Sequence, residues 1–213
     1  MAEQYENLVT IPVDDVELEG ELILPAGAAG LVAFAHGSGS SRKSPRNNFV
    51  AEVLREHGLG TLLFDLLTEV EDVDYQTRFD IDLLTSRLLA ATEWIENLDD
   101  TRELNLGYFG SSTGAAAALR AAARRGDDVD AVVSRGGRVD LASEALPDVT
   151  AATLFIAGGA DTQVLELNRA GHESLTCTKE LAVIEGAGHL FEGPGELEEV
   201  ADLAADWFER YLS

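Results

Sequence analysis

A single doubly wound α/β domain, built on a mainly parallel sheet with helices on both faces, is what this sequence predicts, and three observations carry the prediction. Short apolar runs alternate along the chain with segments of helical period. Several of those runs end in glycine-rich loops, such as His36-Gly37-Ser38-Gly39 and Gly158-Gly159-Ala160-Asp161, as buried strands do on leaving a sheet. No long linker, internal repeat or low-complexity tract divides the 213 residues, so one domain over residues 1–213 accounts for the chain.

Leu8 to Val13 and Val16 to Leu24 read as two strands around Asp14-Asp15, an antiparallel opening hairpin. In the second, Val16, Leu18, Leu22 and Leu24 share one parity, and Glu17, Glu19 and Glu21 the other. Leu31 to Ala35 is a buried strand entering a loop. Phe49, Val50, Val53 and Leu54 recur at helical spacing up to His57-Gly58. Leu59 to Leu67 reads as a strand, and Arg78 to Leu98 as a helix with Ile81, Leu84, Leu88, Ala91 and Ile95 along one stripe. The second half repeats the alternation. Strands are expected at Leu104 to Phe109, Asp130 to Ser134, Thr153 to Ala157 and Leu181 to Ile184. Helices are expected at Gly114 to Arg125, Gln163 to Ala170 and Glu196 to Tyr211. Strands joined by helices imply right-handed crossovers and a parallel sheet.

Composition narrows the function. At 46% hydrophobic residues the chain can bury a substantial core. No stretch approaches the ~20 apolar residues of a membrane span. The opening Met1 to Glu6 lacks the basic and apolar regions of a secretory signal. Cys177 is the only cysteine, which rules out an internal disulfide, and with the four histidines it lacks metal-ligand spacing. A soluble cytoplasmic protein without metal or cofactor is the expectation. Fifteen basic against 39 acidic residues leave a net charge of -24, a field that repels nucleic acid and anionic membranes. The expected partner is therefore a small molecule, and the oligomeric state stays open. Only Lys43 and Lys179 are lysines. Two explanations of the charge stand, an ordinary acidic protein or one adapted to concentrated salt, and the scarcity of lysine favours the second.

Ligands on such a sheet bind outside the carboxyl ends of the strands. There stands Gly110-Ser111-Ser112-Thr113-Gly114, a G-x-S-x-G pattern between a strand and an alanine-rich helix. A sharp turn holds the central serine at the sheet's edge, and the helix N-terminus behind it offers amides to a developing oxyanion. Ser111 does not fit the register, because Phe109 precedes it by two places. Serine needs a base held by an acid. His189 follows the last strand and Asp161 the strand before it, so the order Ser112, Asp161, His189 suits one convergent mouth. The backbone N–H groups of Ser38 and Thr113 are the expected oxyanion donors. Each residue has a plainer reading: Ser112 and Asp161 as helix caps, His189 as a loop histidine, with Asp140 the competing acid. His36 is expected to orient its loop, His57 and His172 to be structural, and Cys177 to be a spectator.

These motifs, in this order, make the sequence resemble the α/β-hydrolase superfamily, and within it the small dienelactone-hydrolase-like members. The resemblance spans nearly the whole chain and implies a compact hydrolase with an N-terminal hairpin. It departs from dienelactone hydrolase proper, whose nucleophile is cysteine, and so implies ester or thioester chemistry through Ser112. Between Ser134 and Thr153 there is room for a short turn and none for a large cap, which implies an open site. Two basic groups flank that mouth: Arg42, Lys43 and Arg46 after the oxyanion loop, and Arg135 and Arg138 beside the elbow. Arg42, Arg46, Arg135 and Arg138 are candidates to grip a substrate anion, against the alternative of pairing with local acids. The serine-rich loop Ser38 to Ser44 points to a small polar substrate.

Overall fold

The architecture follows from where the chain can bury unbroken apolar runs. In the computed structural model, which describes residues 5–213, eight strands are found among the described residues. They are β1 (Tyr5–Val13), β2 (Val16–Leu24), β3 (Gly30–Ala35), β4 (Gly60–Phe64), β5 (Asn105–Ser111), β6 (Ala131–Arg135), β7 (Ala152–Gly158) and β8 (Lys179–Ile184). Residues 1–4, part of the stretch read as lacking a secretory signal, lie outside the described residues. The strands form one sheet in the order β1-β2-β4-β3-β5-β6-β7-β8. β1 and β2 make the expected antiparallel hairpin, β2 joins β4 antiparallel, and every later pairing is parallel. All residues of β3, β4, β6 and β7 are buried, as strands covered on both faces must be.

Five helices cover the sheet: α1 (Pro45–Glu56), α2 (Ile81–Glu96), α3 (Thr113–Arg125), α4 (Thr162–Ser174) and α5 (Glu196–Leu212). Strand side chains alternate between two cores. Val32, Phe34, Phe109, Val133 and Ile156 pack with α1 and α5. Leu31, Ala33, Tyr108, Val132 and Phe155 pack with α2 and α3. Burying Trp207 and Phe208 of α5 contributes roughly 1.5–3 kcal/mol each. No helix among the described residues is long and apolar enough to cross a membrane.

Several boundaries differ from the sequence reading, and three have a clear local cause. β4 stops at Phe64, and the N–H of the buried Leu66 bonds to the His36 ring instead of a strand. α2 begins at Ile81, because the Asp80 carboxylate caps it by accepting from Leu83 N–H at 3.0 Å. α1 begins at Pro45, a favoured first helical residue, behind the cap Ser44. Residues 136–151, between β6 and β7, hold two 3-10 turns (Val139–Ala142 and Leu146–Asp148) and no inserted cap.

Candidate active site

β5 ends at Ser111 and α3 starts at Thr113, which leaves Ser112 alone to reverse the chain. It does so at φ 50°, ψ -118°, a left-handed conformation that costs a non-glycine residue about 1–3 kcal/mol. The flanking glycines make the turn possible. A Cβ on Gly110 would lie 2.5 Å from Ala115 Cα, and one on Gly114 would lie 2.1 Å from the Ala35 carbonyl oxygen. The serine's backbone is held on both sides: its N–H donates to Arg135 O at 3.1 Å, and its carbonyl accepts from Arg138 N–H at 3.0 Å. The Ser112 hydroxyl is not spent capping α3.

The loops after β7 and β8 are tied together by Ala160 N–H donating to Ala187 O at 2.9 Å. This brings His189 Nδ1 within 2.7 Å of Asp161 Oδ2. Asp161 makes no side-chain cap to α4, so its carboxylate goes to the imidazole. The ring lies over Gly136, where an added Cβ would stand 3.5 Å from two ring atoms. Asp140 lines the same cleft but is held by another partner. It accepts from Arg138 Nε and Nη2 at 2.8 Å each, and that pairing holds its carboxyl below the usual range.

The loop after β3 is fastened by His36. Its Nδ1 donates to Gly37 O and its Nε2 accepts from Leu66 N–H, both at 3.0 Å, which describes the neutral ring. Burial pushes its pKa down, in keeping with that tautomer. Ser38 N–H donates to Thr113 Oγ1 at 2.9 Å. Of the two amides expected to meet an oxyanion, that of Ser38 is thus engaged by a hydroxyl in this resting arrangement. That of Thr113 heads α3, where the first amides have no intrahelical acceptor.

Ser38, Ser112, Thr113, Arg138, Asp161 and His189 all line one cleft of about 650 Å³, as does Asp140. Its other wall was not foreseen from the sequence. Tyr75 and Phe79, with ring centroids 5.0 Å apart, come from the turns just before α2, and Val164 and Leu167 come from α4. The available signal was the pair of aromatics four residues apart, Phe79 at the start of the stretch read as a helix and Tyr75 just before it. Arg78 also enters the cleft, beside Gly39 and bonded to Asp72. The mouth is consequently less polar than the serine-rich loop implied.

The four candidate arginines part company. Arg138 lies in the cleft, paired with Asp140. Arg42 lines a separate pocket of about 350 Å³ and is bonded to Asp65 and Glu19. Arg46 reaches Glu192 at 3.1 Å on the surface. Arg135 is buried with no such partner among the described residues. His57 pairs with Glu209 at 3.0 Å, and Cys177 is half-buried 3.8 Å from Thr153 Oγ1. Among the described residues no three histidine, cysteine or acidic side chains gather as a metal cluster would.

A strained serine between a parallel strand and a helix, sharing a cleft with a carboxylate after β7 and a histidine after β8, is the layout of an α/β-hydrolase. The chain belongs to the dienelactone hydrolase family, whose pattern matches residues 72–213. A crystal structure of dienelactone hydrolase from Anabaena variabilis ATCC 29413 is 55% identical, covers 99% of both chains and superposes with a TM-score of 0.96. Est1E from Butyrivibrio proteoclasticus shares the fold at 18% identity, with a TM-score of 0.82 over 95% of this chain and 98% of its own. Two Mycobacterium tuberculosis proteins, whose names suggest a phosphoribosyl transferase, are 52% identical over 204 residues. Those residues are 96% of this chain but only 46% of theirs, so the chain spans about half the length of these curated relatives. The chain has the fold of the α/β hydrolases.

Proposed function

We propose that the chain cleaves a small carboxylic ester or thioester through an acyl-enzyme on Ser112. The observation that carries this reading is the 2.7 Å contact of His189 Nδ1 with Asp161 in the cleft that Ser112 enters from its strained turn. Ser112 Oγ attacks the carbonyl carbon while His189 Nε2 takes its proton. Asp161 holds the imidazole with Nδ1 protonated and stabilises the imidazolium that forms. The oxyanion meets the Thr113 amide at the head of α3, and the Ser38 amide joins when the Thr113 hydroxyl gives up its bond. His189 protonates the leaving alcohol or thiol. The same histidine then activates water, which releases the acid and frees Ser112. Each step uses only side chains, backbone amides and water.

The acyl group rests against Tyr75, Phe79, Val164 and Leu167. Both cations of the cleft, Arg78 and Arg138, already hold carboxylates, which favours an uncharged ester. The transferase named for the Mycobacterium tuberculosis relatives we assign to the part of those proteins outside the shared 204 residues. The test is hydrolysis of p-nitrophenyl esters and acyl-thioesters together with labelling by a fluorophosphonate. Ser112→Ala should lower turnover by about 1,000-fold or more and abolish the label, with the circular dichroism spectrum unchanged. Labelling that persists on another residue, or turnover that survives, overturns the assignment.

A further inference from the structure

We propose that Arg135 and Arg46 form a binding site for a small anion behind the nucleophile, on the face of the sheet covered by α1 and α5. Arg135 ends β6 with the parity of Ala131 and Val133, both of which pack in the core shared with α1 and α5. The residue is 8% exposed, and its Nε and Nη1 are sealed from solvent without a hydrogen-bond partner among the described residues. Every other arginine in the chain takes part in an ion pair or hydrogen bond. In a chain with 39 acidic residues, leaving this one buried cation unmatched is a selective exception.

The surroundings add positive character. Burial first, and the Arg46 charge second, bring the pKa of Arg135 down to about 10, so it remains cationic at neutral pH. Arg46 stands in the first turn of α1, which carries no acidic residue to offset the positive end of the helix. Its own contact, with Glu192 at 3.1 Å, joins two partly exposed side chains and is held only weakly. Water can satisfy the two sealed N–H groups but leaves the buried charge uncompensated. A small anion accepts those hydrogen bonds and cancels the charge. Arg46 itself is partly open to solvent, its side chain 36% exposed. Arg135 pairs in register with Ser111 and accepts the Ser112 N–H on its carbonyl, so the anion sits beside the strand end that carries the nucleophile. Its occupancy couples to folding stability whether or not Ser112 turns over an ester.

Chloride, phosphate and a carboxylate such as acetate share the required chemistry, and calorimetry separates them. The full chain, in low-salt zwitterionic buffer, is titrated in turn with the sodium salts of the three anions. At least one should saturate at a single site, and Arg135→Met should weaken it about tenfold or more. Saturation by chloride alone identifies a monatomic ligand, and saturation by phosphate or acetate an oxyanion. Arg46→Ala, altered at a partly exposed position, should weaken the same anion by about threefold. Failure of all three anions to saturate the wild-type chain overturns the proposal, as does Arg135→Met binding like wild type. Should Arg135→Met not fold, Arg46→Ala decides, and an unchanged affinity rejects the site.

Discussion

The two sides of the sheet's carboxyl edge solve the problem of an arginine near the nucleophile in opposite ways. On the cleft side, Arg138 is about one-third exposed, and bidentate bonds to Asp140 raise its pKa further. On the α1 and α5 side, only three residues earlier, Arg135 is buried, unpaired and lowered in pKa by that burial. One step of strand alternation and one turn of the backbone at Gly136 separate the two environments. The difference teaches that sequence proximity to an elbow does not assign a cation to substrate. A guanidinium with a carboxylate partner is committed, and one without is available.

Two carboxylates sharpen the comparison most strongly. Asp161→Asn should lower kcat/KM by roughly 100-fold or more, because the imidazole loses the acceptor that fixes its tautomer. Asp140→Asn should change it by less than about threefold, since Asp140 serves Arg138. Steady-state kinetics on one ester decides, and a reversal of the two would exchange their roles. Gly114→Ala tests the frame that both sides share. Its Cβ would lie 2.1 Å from a backbone oxygen, so urea unfolding should show a loss of about 3 kcal/mol.

His36 predicts a milder effect of pH on stability. Its folded pKa lies below the ordinary 6.5 because of burial, so below that value the unfolded chain binds more protons than the folded one. Stability should therefore decline as pH falls from 6.5 toward the lower folded value, and His36→Gln should flatten that decline. Asp140 gives the smallest signal, with the same direction of shift from a different cause, its hydrogen bonds to Arg138. Its depressed pKa means stability present above 3.8 and lost as pH falls through the folded value. The pair is partly exposed, so solvent screening keeps this to under about 1 kcal/mol. Acid titration of Asp140→Asn against wild type measures it.

Much of the fold was legible because buried parallel strands write themselves as apolar runs. Val16 to Leu24 was read with the bounds the structure shows, and most other elements agree to within a few residues. The misreadings have local causes. Leu66 and Leu67 are as apolar as any strand residue, but they leave the sheet to bond and pack beneath the His36 loop. Arg78 carries helical periodicity forward from α2, yet the Asp80 cap stops the helix short of it. The apolar wall of the cleft was missed because Tyr75 stands in a turn and Phe79 ends a 3-10 turn, neither of which has a strong period to detect.

The sequence by itself determined the alternation of strands and helices, the elbow around Ser112, and the order in which Asp161 and His189 follow it. It could do so because hydrophobic period and glycine placement are local properties of a chain. Only the tertiary structure decided that His189 meets Asp161 while Asp140 turns to Arg138, since both acids stand in loops after strands and carry the same charge. It alone sorted the four arginines into three with carboxylate partners and one without any among the described residues. Partnership depends on which loops are brought within about 3 Å, a distance set by packing across the sheet and not by position in the sequence.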